Sequence, residues 1–330
     1  MLMKKRKLGR SEVGIIGLGC MGMSHAYGES DVNDNIRVFE KALELGCNHW
    51  DTADFYGFGG NEKLISRILK NNRDNVYIAT KTGLEFDENI SLLEMKKKGT
   101  IGVNNSKKYI KKHLDDSLSR LGTESVDLYY LHRMDKNIPI EETMEVMLEL
   151  LNSGKIKGIG LCEVDADIIR RAQRVCPLTA VQMEYSIWSR EIEREILPTC
   201  NELDISIVSY APLGRGFLTG KITNMDAIGQ SDMRHHFPRF KNLSKNILIC
   251  KTIEEIAEKH NVTSAQIALA WILAKNHSIF LIPGTKSIKH LTENISALSI
   301  VLSETEINTL DNIQVYGERY PKIMMDNVIR

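Results

Sequence analysis

Val76-Tyr77-Ile78-Ala79-Thr80-Lys81 is the stretch on which the fold turns. Its β-branched and aromatic residues read as a strand, and the unbroken apolar run implies that both faces are covered. A buried parallel strand has no use for a charge inside it, so Lys81 at its carboxyl end marks a site. Two neighbouring stretches repeat the pattern. His49-Trp50-Asp51-Thr52-Ala53-Asp54-Phe55-Tyr56-Gly57 places Asp51 at a strand end and Tyr56 just beyond it, and Val126-Asp127-Leu128-Tyr129-Tyr130-Leu131-His132 closes on His132.

Working outward, eight strand-like segments can be read: 14–19, 47–52, 76–81, 126–131, 156–161, 178–183, 205–210 and 279–283. Helix-length amphipathic stretches separate most of them, at 33–46, 61–71, 106–121, 140–153, 165–175 and 190–203. This alternation predicts an α/β chain folded as a (β/α)8 TIM barrel. Cap signals agree: Ser106 precedes a lysine-rich helix, and Thr263-x-x-Gln266 and Ser303-x-x-Glu306 have the form of capping boxes. No linker divides the chain, so 1–330 reads as a single domain. The segments 83–105 and 212–246 are too long for ordinary connections and would rise over the carboxyl face. A C-terminal extension, 303–330, is placed to return towards that face.

With 330 residues, 42% hydrophobic and 43 basic against 43 acidic side chains, the chain has material for one large core. A net charge of zero argues against nucleic acid as a partner. The cysteines, Cys20, Cys47, Cys162, Cys176, Cys200 and Cys250, show no metal-ligand spacing and read as buried thiols. The basic start lacks the apolar core of a signal peptide, and no run of about 18 apolar residues occurs. A cytoplasmic protein without a membrane span is expected; oligomeric state is not legible.

Three motifs lead elsewhere. Gly17-Leu18-Gly19-Cys20-Met21-Gly22 matches GxGxxG, but a Rossmann site needs a helix starting on the glycines, and the next helical pattern begins near Asn33. Tyr77-x-x-x-Lys81 has the spacing of the short-chain dehydrogenase pair, yet on a strand the two residues lie about 13 Å apart. His235-His236 lacks a third ligand, so no metal is expected.

Tyrosine, lysine, aspartate and histidine together suit carbonyl reduction. Hydride arriving at carbon leaves charge on oxygen, which a proton must meet. A phenol can supply it, with a reference pKa near 10 that a nearby ammonium is expected to lower. Asp51 would keep Lys81 charged and in place, while His132 would orient the carbonyl oxygen.

Over nearly its whole length the chain resembles the aldo-keto reductases. Trp50-Asp51-Thr52-Ala53-x-x-Tyr56-Gly57 is similar to that family's signature, and Lys81 and His132 match the remainder of its tetrad. The resemblance implies an NADPH-dependent oxidoreductase reducing aldehydes or ketones, with Tyr56 as general acid. The alternative is a nucleotide-binding regulatory barrel, as in channel-associated members. Pro139-Ile140-Glu141-Glu142-Thr143-Met144 and Gly317-Glu318-Arg319-Tyr320-Pro321 resemble the auxin-induced or pyridoxal-reductase-like branch.

The resemblance also implies a cofactor site for NADP(H). Gln182, with Cys162 and Glu163 in place of the common Ser-Asn pair, falls where the nicotinamide carboxamide is held, and Tyr210 where the ring is stacked. Pro212, Leu213, Gly214, Arg215 and Gly216 resemble the loop over the pyrophosphate. Gly284, Thr285, Lys286, Ser287, His290, Glu293 and Asn294 match the adenosine end, although His290 stands where many members carry arginine. A helix amino end with Lys286, Ser287 and Lys289 suits a 2′-phosphate. Met23, His25, Tyr27, Phe55 and Trp188 are the expected substrate-pocket residues.

Overall fold

The computed structural model describes residues 3–24, 30–86, 102–229 and 232–322. It opens on a feature the sequence did not announce. β1 (Lys5–Leu8) and β2 (Ser11–Gly14) form an antiparallel hairpin outside the main sheet. The expected strand 14–19 is therefore divided, its first residue ending β2 and its last two forming β3 (Leu18–Gly19). The hairpin is short and mostly charged, and only Leu8 and Val13 are fully buried. These two pack with Tyr77, Leu128, Tyr130, Val208 and Phe280, which places the hairpin as the floor of a barrel.

Eight parallel strands make the wall. β3 is followed by β4 (His49–Asp51), β5 (Tyr77–Thr82), β6 (Leu128–Leu131), β7 (Ile159–Cys162), β8 (Ala180–Glu184), β9 (Ser206–Tyr210) and β10 (Ile279–Leu281), each hydrogen-bonded to the next. The seam between last and first is closed by Gly17 N–H to the Leu281 carbonyl at 2.7 Å and Leu281 N–H to the Ile15 carbonyl at 2.9 Å. This is a closed (β/α)8 barrel. Gly17 is required at the seam because a Cβ there would stand 2.4 Å from the His49 carbonyl oxygen. The glycine motif thus serves strand packing.

Alternation along each strand sorts side chains into two sets. Trp50, Ile78, Tyr129, Leu161, Val181 and Ile207 point outward into the core shared with the helices. Burying each such side chain contributes about 1.5–3 kcal/mol. Tyr77, Ala79, Leu128, Tyr130, Cys162, Ala180, Val208 and Phe280 fill the lumen. Counting on by twos from Tyr77 and Ala79 puts Lys81 in the lumen's top layer.

The helices follow their caps. Ser106 accepts the Tyr109 N–H at the start of the helix Lys107–Leu121, and both expected capping boxes are formed, at Ser264–Lys275 and Glu304–Asp311. The stretch 190–203 is not one helix; a 3-10 turn, Glu191–Glu193, precedes the helix Ile196–Glu202. Pro198 accounts for the break, since proline fits only the first turn of a helix. Nor is 212–246 structureless: it holds 3-10 turns and the helix Pro238–Lys241, and Leu243–His260 begins inside it. The ends of 83–105 meet through a bridge between Leu84 and Val103, and 87–101 lie outside the described residues. All six cysteines are buried and unbridged. Among the described residues no helix is long and apolar enough to cross a membrane.

Candidate active site

The top of the lumen between β4 and β6 brings Asp51, Tyr56, Lys81 and His132 together. Lys81 is completely buried and pairs with an oxygen of Asp51; its ammonium also donates to the Thr52 carbonyl at 2.7 Å and to the Tyr56 hydroxyl at 3.4 Å. The His132 ring stands edge-on to Tyr56, centroids 5.8 Å apart. Tyr56 belongs to a loop held by buried polar groups. Thr52 Oγ1 donates to Asn61 Oδ1 at 2.6 Å, Asn61 Nδ2 donates to the Cys20 carbonyl at 2.9 Å, and Asp54 pairs with His113 Nδ1 at 2.9 Å.

Burial sets the electrostatics. It pushes the Tyr56 phenol up to about 12, against the pull of the Lys81 charge. The ammonium does pull the phenol down, as expected from the sequence, but burial of the ring outweighs it. Burial also opposes the charge on Lys81, but Asp51 and then Tyr56 outweigh it and hold the ammonium above the ordinary lysine range. One layer deeper lies His49, fully buried, with neither ring nitrogen hydrogen-bonded. Burial, then the Lys81 charge, pushes it down to about 3. The lumen therefore holds a neutral phenol above a fixed cation.

The arc from β7 to β9 carries the next group. Gln182 Nε2 donates to Asp51 Oδ2 at 2.7 Å, joining this arc to the first. Burial pushes the Cys162 thiol up to about 12, leaving a neutral lining group. Glu163, in a left-handed conformation with φ of 54°, turns its carboxylate towards Tyr210, whose hydroxyl donates to it at 2.9 Å. Burial works against that carboxylate, but Arg319 and then Arg133 hold it below the usual range. After β9, residues 214, 215 and 216 all have positive φ (57°, 58° and 92°), which explains the two glycines. Arg215 adopts the same conformation with a side chain, held by Glu184 Oε2 at 2.8 Å and by Arg234, which donates to its carbonyl at 3.0 Å. Pro212 and Leu213 lead into this loop.

Beyond β10, Gly284 is exposed, Thr285, Lys286 and Ser287 are half-buried, and Ser287 caps the helix Ile288–Ser296. His290 Nε2 lies 3.2 Å from the Lys221 ammonium, across from the Arg215 loop. Glu293 pairs with Lys289 and Asn294 is buried. Phe55 packs beside Tyr56, with Phe58 and Phe86. Met23 and Trp188 sit in the main core; Trp188 stacks on Phe217, centroids 4.4 Å apart, beneath Gly214. His25 and Tyr27 lie outside the described residues. Among the described residues no three metal-ligating side chains gather. Sequence reasoning gave Glu184, Asn246, Arg319 and Tyr320 no role in the site; the signal for the last two was the motif Gly317-Glu318-Arg319-Tyr320-Pro321, read only as a mark of the branch.

Comparison with known proteins fits this geometry. Residues 15–315 match the model of the Aldo/keto reductase family. The chain is 43% identical to "Aldo-keto reductase yakc [NADP(+)]" of Schizosaccharomyces pombe, covering 97% of each protein. It is also 43% identical to "Probable aldo-keto reductase 1" of Glycine max, over 91% of this chain and 85% of that one. Among solved structures, the glycerol dehydrogenase of Gluconobacter oxydans superposes with a TM-score of 0.83 at 26% identity, covering 99% of this chain and 96% of that one. An aldo-keto reductase from Klebsiella pneumoniae, solved in complex with NADPH, gives 0.72 at 26% identity, covering 94% and 95%.

Proposed function

The chain belongs to the aldo/keto reductase family, and on that premise we propose that it is an NADPH-dependent reductase of small aldehydes and ketones, with Tyr56 as the proton donor. The observation that carries the reading is the buried Tyr56–Lys81–Asp51 chain with His132 against the phenol. A phenol pushed up to about 12 stays protonated at neutral pH, as a donor must. Lys81 beside it stabilises the phenolate left when the proton goes, and Asp51 fixes the ammonium in place. His132 orients the carbonyl oxygen towards that proton.

The residues present fit a dinucleotide. Tyr210 offers a half-buried ring as a stacking face, and the left-handed loop 214–216 carries the Arg215 guanidinium beside it. The amino end of Ile288–Ser296, with Lys286, Ser287 and Lys289, suits the 2′-phosphate. Pro212, Leu213, Gly284, Thr285, His290, Glu293 and Asn294 are assigned to the rest of the dinucleotide. Gln182, Cys162 and Glu163 are assigned to the carboxamide, and Met23, His25, Tyr27, Phe55 and Trp188 to the substrate end. When bound, the cofactor supplies the hydride. We place the protein in the auxin-induced or pyridoxal-reductase-like branch, read 1–330 as one domain and expect it in the cytoplasm.

The test is NADPH consumption over a panel of aldehydes, ketones and quinones, repeated with Tyr56→Phe. Turnover should fall by about 10²–10⁴-fold while NADPH affinity is kept. Wild-type rates from Tyr56→Phe sink the mechanism. A wild-type protein that binds NADPH and consumes none with any carbonyl sinks the enzymatic reading.

A further inference from the structure

The segment 316–320 returns to the rim and enters it. Asn246, fully buried, accepts the Tyr316 N–H at 2.9 Å and donates to the Tyr316 carbonyl at 2.9 Å. Arg239 donates to the Gly317 carbonyl at 3.2 Å. Past this clamp, Arg319 and Tyr320 turn inward and are 8% and 5% exposed. Arg319 forks Glu163, with Nη1 3.0 Å from Oε1 and Nη2 against Oε2. The Tyr320 hydroxyl lies 2.7 Å from that of Tyr210 and accepts from Arg215 Nη2 at 2.8 Å. The Arg215 guanidinium also lies over the rings of Phe237 and Tyr320, at 4.6 and 5.2 Å.

Proton counting gives these bonds one direction. An ionised carboxylate only accepts, so the Tyr210 hydroxyl donates to Glu163. Its single proton is then spent, and Tyr320 must donate to Tyr210. Tyr320 in turn accepts from Arg215. The order is Arg215 to Tyr320 to Tyr210 to Glu163, with Arg319 balancing the charge at the end. The Tyr210 hydroxyl is thus gripped on both sides, by Glu163 just past β7 and by Tyr320. A phenol O–H prefers the plane of its ring, so an acceptor and a donor fixed on either side of that oxygen favour one ring plane.

We propose that Arg319 and Tyr320 are positioning residues for the nicotinamide half of the cofactor site, holding the Tyr210 ring in the orientation its stacking requires. This rests on the assignment of Tyr210 as the nicotinamide platform. Arg319 and Tyr320 bond to Glu163, Tyr210 and Arg215, so their effect is expected on the nicotinamide and pyrophosphate side of the ligand.

Two ligands separate the halves: NADPH, and 2′,5′-ADP, which lacks the nicotinamide. Tyr320→Phe removes one oxygen and should raise the Kd for NADPH about fivefold, with 2′,5′-ADP changed less than twofold. Arg319→Met should raise it further with the same selectivity. Should Arg319→Met fail to fold, Tyr320→Phe carries the test alone. Equal weakening of both ligands, or no change in either with Tyr320→Phe, overturns the proposal. Tyr210→Ala isolates the underlying assignment: an unchanged NADPH Kd there removes the platform and the proposal with it. Weakening by Tyr210→Ala but not by Tyr320→Phe removes only the positioning role.

Discussion

Two arcs of one rim are built in opposite ways. From β4 to β6, Asp51, Tyr56, Lys81 and His132 are bonded or packed to one another and come from consecutive strands. From β7 to β9, Glu163, Glu184, Tyr210 and Arg215 are tied together by two residues from the end of the chain. The first arc is held by burial around a single ion pair. The second depends on a distant segment docking correctly. The first arc is therefore complete once its strands pair, whereas the second waits on Arg319 and Tyr320.

Breaking the first arc should cost most. Asp51→Ala leaves the Lys81 ammonium in the lumen without its counter-charge, and should lower unfolding stability by about 3–5 kcal/mol. Urea denaturation at constant slope measures this. In the second arc, Glu163→Gln keeps one acceptor oxygen but sets a donor N–H₂ where Arg319 met an acceptor, so about 1–3 kcal/mol is expected in the same assay. Equal losses from the two variants would erase the distinction between the arcs.

The effect smallest at neutral pH lies beneath the first arc and shows only in acid. His49 titrates near 3 in the folded chain but near 6.5 when unfolded. Its folded value is depressed, so its contribution is complete above about pH 6.5 and is lost as pH falls towards 3. The slope in that window is at most about 1.4 kcal/mol per pH unit. His49→Leu should flatten the acid limb of a stability–pH curve between pH 6.5 and 4. A limb as steep as that of the wild type would mean that other groups carry the acid sensitivity.

The arcs also differed in how far the sequence revealed them. Asp51, Lys81 and His132 each end a local apolar run, so their placement needs only strand periodicity and strand count. The upward shift of Tyr56 was not legible, because burial of the ring is a property of the closed barrel. The Glu163–Arg319 fork was hidden for another reason: its partners are 156 residues apart and no periodicity links them. The β1–β2 hairpin escaped because two apolar residues among charges do not make a strand pattern. Pro198, by contrast, was in plain view, and the helix break there follows from residue chemistry alone.

The seam between Gly17 and Leu281 has a consequence for how the protein is made. A chain emerging from the ribosome can pair β3 through β9 in order, yet it remains an open sheet with two raw edges until β10 arrives. The Tyr56 group is already in hand by then, since its last member is residue 132. Tyr320 comes later still, after the seam has closed. Chain order thus lets the strands bearing Asp51, Lys81 and His132 pair before Tyr320 is available to hold the Tyr210 hydroxyl.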